Sequence, residues 1–126
     1  MEITIYHNPT CGTSRNALAA IRAAGHEPQI FEYLNKPLSR GAIAALVGYM
    51  NVSTRSIVRS KEPLFRELGL DEKDVTEREL LDAMAEYPIL INRPIVVVQT
   101  NGKITARLCR PSETVKSLLA DASANT

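Results

Sequence analysis

The first 34 residues read strand, helix, strand, and no other feature of the sequence narrows the possible folds as far. Glu2 to Tyr6 alternates, with Ile3 and Ile5 on one face, which predicts a short half-buried strand. His7-Asn8-Pro9-Thr10 breaks it. From about Gly12 the spacing turns helical, with Ala17, Leu18, Ile21 and Ala24 on one stripe, and Gly25 stands where a C-terminal cap belongs. Pro28 then opens a second strand, Gln29 to Leu34. A crossover this short joins parallel strands and is right-handed.

The remainder divides in two. From about Ser39 to Tyr87 the pattern is helical: Ile43, Leu46 and Val47 follow Ser39, a short helix is expected over Thr54 to Arg59, and Leu64, Phe65 and Leu68 run to a stop at Gly69. Thr76-Glu77-Arg78-Glu79 is a capping box, with Leu80, Leu81 and Met84 inward behind it. After Pro94, Ile95-Val96-Val97-Val98 and Lys103 to Cys109 flank Asn101-Gly102, the strongest short-range hairpin signal. Ser112 can cap a last helix carrying Val115, Leu118 and Leu119, and Asp121 to Thr126 reads as a frayed tail. The expected architecture is α/β: a thioredoxin-like mixed four-stranded sheet in the order β-α-β, helical insertion, β-β-α. Residues 1–126 are expected to form a single domain, the insertion at about 39–87 being too small to stand alone.

Charge narrows the function. Fifteen Lys and Arg against fourteen Asp and Glu leave a net charge of +1, too balanced for the broad electrostatic footprint that nucleic acid or an anionic membrane requires. An anion site must therefore be local. No apolar run approaches the ~18 residues of a membrane span, and the first residues lack the pattern of a signal peptide, so a cytoplasmic protein is expected. In a reducing compartment Cys11 and Cys109 read as one reactive and one core residue, not as a bridge.

Cys11 falls between the first strand and the first helix, where free N–H groups and the positive end of the helix dipole favour thiolate. His7, a short loop away, offers either positive charge or a proton. In Cys11-Gly12-Thr13-Ser14 the position of a second, resolving cysteine is taken by Ser14. Redox chemistry at Cys11 therefore needs an external thiol. Where a phosphatase-type loop would carry an arginine, Ala17 stands. Cys109 ends an apolar strand and is expected in the core.

The hairpin supplies an independent clue. A two-residue turn at Asn101-Gly102 places Arg93 opposite Arg110. Like charges directly opposed on a sheet are destabilising, and each arginine precedes a proline that holds it extended. Two such guanidinium forks make sense with an oxyanion between them. The third strand runs antiparallel to the first in this arrangement, so the pair is expected beside Cys11.

Three segments then resemble the glutaredoxin-coupled arsenate reductases of bacteria: His7-Asn8-Pro9-Thr10-Cys11-Gly12-Thr13-Ser14-Arg15-Asn16, Leu90-Ile91-Asn92-Arg93-Pro94-Ile95-Val96-Val97 and Arg107-Leu108-Cys109-Arg110-Pro111-Ser112. The likeness runs from Ile3 to about Leu119. It implies a nucleophilic Cys11, a histidine at His7 that tunes the thiolate, and an oxyanion site of Arg59, Arg93 and Arg110. Arg59 enters through the resemblance alone. The implied reaction takes arsenate to arsenite, with glutathione as co-substrate, glutaredoxin as partner and no metal or bound cofactor, in a chain working as a monomer. A cis bond before Pro94 is also implied. Two other classes share the pattern: Spx-type redox regulators that bind RNA polymerase, which use a second cysteine where Ser14 stands, and related glutathione-dependent thiol reductases with another substrate.

Overall fold

The computed structural model describes residues 1–124, which form two compact units: Met1–Tyr33 with Arg93 onward, and Leu34–Asn92. In the first unit β1 (Glu2–Tyr6), β2 (Gln29–Phe31), β3 (Ile95–Thr100) and β4 (Lys103–Leu108) form one sheet in the order β2-β1-β3-β4. β1 pairs with β2 in parallel and with β3 antiparallel, as the crossover and the hairpin require.

Alternation decides the packing. Ile3 and Ile5 of β1 stand opposite Val98 and Val96 of β3. This apolar row packs with Ala17 and Ile21 of α1 (Gly12–Ala23), with Val115, Leu118 and Leu119 of α5 (Thr114–Ala124), and with Cys109. Ile5, Ile21, Val96 and Leu118 are fully buried, each contributing about 1.5–3 kcal/mol of hydrophobic stabilisation. At the edge of the row Arg107 reaches across to Ser117 and Asp121 of α5 and ties the helix to β4. Gly25, at φ +90°, ends α1 with its N–H on the Arg22 carbonyl. The buried stripe of α1 is Ser14, Ala17 and Ile21; Ala24, expected on it, is exposed.

The second strand is shorter than the expected Gln29 to Leu34. Its register pairs Phe31 with Tyr6, and the His7 N–H takes the Phe31 carbonyl as the last rung. Beyond that point β1 turns into the cysteine loop and leaves Glu32 to Leu34 without a ladder. At the other terminus the expected fraying is absent from Asp121 to Ala124: α5 continues through them, and Ala122 is buried. Asn125 and Thr126 lie outside the described residues.

The second unit is helical. α2 (Arg40–Met50) is capped by the Ser39 hydroxyl, α3 is the single turn Pro63–Glu67, and α4 (Glu77–Glu86) opens on the reciprocal Thr76–Glu79 capping box. α2 packs on α4 through a core that includes Ile43, Leu46, Leu80, Leu81 and Met84. The helix expected over Thr54 to Arg59 is a 3₁₀ turn ending at Ile57. Val58 instead makes an antiparallel bridge to Ile91, and the flanking hydrogen bonds run from the Arg59 N–H to the Leu90 carbonyl and from the Asn92 N–H to the Ile57 carbonyl. Two adjacent β-branched residues, Ile57 and Val58, favour that extended exit. A second 3₁₀ turn, Pro88–Leu90, precedes the bridge. Among the described residues no helix is long and apolar enough to cross a membrane.

Candidate active site

Local folding of the His7–Ser14 loop puts Cys11 at the start of α1. Asn8 builds the turn: its Oδ1 accepts from the Thr10 N–H at 3.0 Å and the Thr10 hydroxyl at 2.8 Å, and its carbonyl accepts from the Cys11 N–H at 3.0 Å. That is the Asx turn an Asn-Pro step favours. Arg15 braces the outside of the loop, Nη1 donating to the Pro9 carbonyl at 2.9 Å. Cys11 itself is the extended N-cap residue of α1, and its side chain closes no cap hydrogen bond. The first N–H groups of the helix therefore stay open toward the sulfur.

The paired arginines arrive from the hairpin. Asn101 and Gly102 both take positive φ, at 52° and 77°, and Ile95 pairs with Leu108, so the ladder has the expected register. The Cys109 N–H extends it to the Pro94 carbonyl. One step further out, Arg110 Nη1 donates to the Arg93 carbonyl at 3.2 Å and lies 3.7 Å from Cys11 Sγ. The two arginines and the cysteine therefore meet, as expected. Both Arg93-Pro94 and Arg110-Pro111 are cis; the resemblance implies the first and not the second.

Electrostatics separates the two cysteines. Burial pushes the Cys11 thiol up, but the Ser14 backbone N–H, hydrogen bonds from the Arg93 and Arg110 guanidinium groups and the Arg93 charge outweigh it and bring the pKa down to about 7. Cys109 is fully buried, and desolvation, only slightly offset by Arg107, pushes its thiol up to about 12. At neutral pH one sulfur is substantially thiolate and the other is an inert core thiol.

His7 does not sit in the site as a cation. It is buried, its Nδ1 lies 2.7 Å from the Ser14 hydroxyl, and desolvation lowers its pKa; the Glu32 charge opposes this, and the charges of Arg15 and Arg22 add to the fall. Arg59 belongs to the second unit, where it is half-buried with its Nε 3.8 Å from a Glu62 carboxylate oxygen. Asn8, Ser14 and Arg15 were not singled out as site-building residues from the sequence. For Ser14 a signal existed: it is the one polar residue on a helix stripe that continues as Ala17 and Ile21.

A mixed sheet in this order, with a thiolate-forming cysteine at the first helix N-terminus and a cis-proline at the start of β3, defines a thioredoxin-like thiol protein. The chain belongs to the ArsC family, whose model matches residues 6–118. It is 51% identical to the arsenate reductase of Rhizobium meliloti (strain 1021) over 96% of this chain and 84% of that protein. Against the arsenate reductase of Escherichia coli (strain K12) it is 49% identical, over 96% of this chain and 83% of the relative. Among solved structures, an arsenate reductase from Vibrio cholerae superposes with a TM-score of 0.86 at 39% identity, covering 93% of this chain and 97% of that one. A putative arsenate reductase from Yersinia pestis gives 0.84 at 43% identity, with 92% and 99% covered.

Proposed function

We propose that this chain is an arsenate reductase that reduces arsenate to arsenite with electrons from glutathione and glutaredoxin. The observation that carries the reading is the Arg110 guanidinium 3.7 Å from a cysteine sulfur whose pKa is brought down to about 7. Thiolate and arsenate are both anions, and their approach is opposed unless fixed cations hold the oxyanion and take up the charge that develops on it. Arg93 and Arg110 are set to do this on one side of Cys11. Arg59 is proposed as the third cation on the strength of the family resemblance.

In this scheme the Cys11 thiolate attacks arsenic and displaces an oxygen as water. Glutathione adds to the arsenic as a second thiol ligand. Arsenic then takes up two electrons and leaves as arsenite, while two sulfurs join as a mixed disulfide. Ser14 stands where a resolving thiol would be and its hydroxyl is already engaged by Asn8 and His7, so an external thiol, glutaredoxin, completes the cycle. Every electron comes from a thiol, and the scheme needs no metal or bound cofactor.

Turnover of arsenate with glutathione and glutaredoxin, followed as NADPH oxidation through glutathione reductase, tests the proposal. Activity should vanish without glutathione and in Cys11→Ser, while Cys109→Ser retains most of it. Sustained turnover with thioredoxin alone would overturn the electron source, and equal loss from both cysteine variants would overturn the assignment of the nucleophile.

A further inference from the structure

No direct contact joins His7 to the Cys11 sulfur in this structure: the imidazole is buried, its pKa is lowered by desolvation, and its Nδ1 faces a serine hydroxyl. Ser14 is itself fully buried on the inner stripe of α1. Its Oγ has two partners, the Asn8 backbone N–H at 3.1 Å and His7 Nδ1 at 2.7 Å. A hydroxyl carries one proton, and an N–H can only donate to it. Of the two partners only His7 Nδ1 can accept the Ser14 proton, and in the tautomer that does so the imidazole proton sits on Nε2 and the ring is uncharged.

From this we infer that Ser14 is a positioning residue for the thiolate, and that His7 acts on Cys11 through it, as a neutral hydrogen-bond acceptor and not as a cation. The hydrogen bonds run in a chain from His7 to the Cys11 backbone. The Ser14 hydroxyl donates to His7; the Asn8 N–H donates to the Ser14 oxygen; the Cys11 N–H donates to the Asn8 carbonyl; and the Ser14 backbone N–H stabilises the sulfur. With its side chain held at two points, Ser14 keeps the first turn of α1 in place beside Cys11, which lowers the ordering needed at the moment of attack. Arg93 and Arg110 contribute charge from the hairpin, while Glu32, Arg15 and Arg22 are the charged groups that act on His7. The inference deepens the proposed reaction and rests on it for its catalytic meaning, but the geometry concerns the thiol alone.

The pH midpoint of Cys11 alkylation therefore tests it without arsenate. Cys109, buried and inert, serves as the folding control in every sample, because it reacts only when the core opens. Ser14→Ala and His7→Phe should each raise the midpoint by about 1 pH unit, and the double variant should rise no further than either single one, since both break the same link. His7→Asn, which never carries charge but can accept the Ser14 proton through its Oδ1, should keep the midpoint low, as should Ser14→Thr. Additive shifts in the double variant, or a His7→Asn midpoint as high as that of His7→Phe, would overturn the inference in favour of a through-space charge effect. Should Ser14→Ala open the core to Cys109 modification, His7→Asn against His7→Phe still decides. Absence of arsenate turnover with an intact alkylation pattern would sink the proposed function and leave the positioning role standing.

Discussion

Arg93 and Arg110 show how a single pair of residues can be placed against its own electrostatics. Their backbones are brought opposite each other by the hairpin, and Arg110 is held by the Arg93 carbonyl and the Cys11 sulfur. A tetrahedral oxyanion bound between the two forks should relieve their repulsion, so arsenate, phosphate or sulfate should raise the melting temperature by mass action, and chloride at equal ionic strength should do much less. Arg93→Ala or Arg110→Ala should weaken oxyanion binding by roughly ten- to a hundredfold, the worth of a charged hydrogen bond of about 1.5–3 kcal/mol. Arg→Lys should restore only part, because an ammonium cannot reproduce the bidentate fork. Calorimetric titration with sulfate checks both. Normal oxyanion affinity in either alanine variant would remove these arginines from the site. The pairing was legible in the sequence because a two-residue turn sets its register; the contact with Cys11 needed the sheet.

At the scale of elements, local signals and long-range partners divide the outcome. The Thr76 capping box formed as read, because its hydrogen bonds join residues three apart: the Glu79 N–H donates to Thr76 Oγ1 at 3.1 Å and the Thr76 N–H to Glu79 Oε1 at 3.1 Å. Thr76→Ala should therefore cost about 1 kcal/mol of unfolding free energy, measured by urea titration, while the Cys11 alkylation midpoint stays where it was; a loss below a few tenths would mean the cap is dispensable. The hairpin turn was equally local, with Asn101 and Gly102 supplying the two positive φ angles. The elements that departed from expectation all end where a distant segment begins or stops pairing. β2 ends where β1 turns into the cysteine loop, and the 3₁₀ turn at Thr54–Ile57 gives way where Ile91 takes up Val58. Asp121 to Ala124 stay helical because Arg107, on β4, and the core beneath Ala122 hold them.

For the molecule as a whole, the two cysteines and His7 tie stability to pH with opposite signs. Cys11 has its folded pKa depressed from 9.0 to about 7. Between those values the unfolded chain keeps a proton that the folded one has lost, so stability rises with pH and is lost as pH falls through 7. His7, lowered by burial, adds a rise of the same sign at more acid pH, since below its ordinary value of 6.5 the unfolded state binds the proton first. Cys109, pushed up to about 12 from 9.0, acts the other way, and its contribution is lost as pH climbs above 9. Unfolding titrations should find maximal stability near pH 9, and Cys11→Ser should flatten the slope between 7 and 9 while leaving the alkaline fall intact. An unchanged slope in that variant would mean Cys11 titrates as it does unfolded. The sequence alone determined what depends on neighbours along the chain: the parallel crossover, the capping box, the turn and its register, the position of Cys11 at a helix start, and the apolar rows that assign Cys109 to the core. Only the tertiary structure decided which polar atoms meet. The charge state of His7 follows from its burial against Ser14, the guanidinium share of the thiolate's stabilisation from arginines brought in by the distant hairpin, and the lengths of β2 and α5 from partners on other elements. Desolvation and hydrogen bonding depend on where side chains end in space, and periodicity carries no record of that.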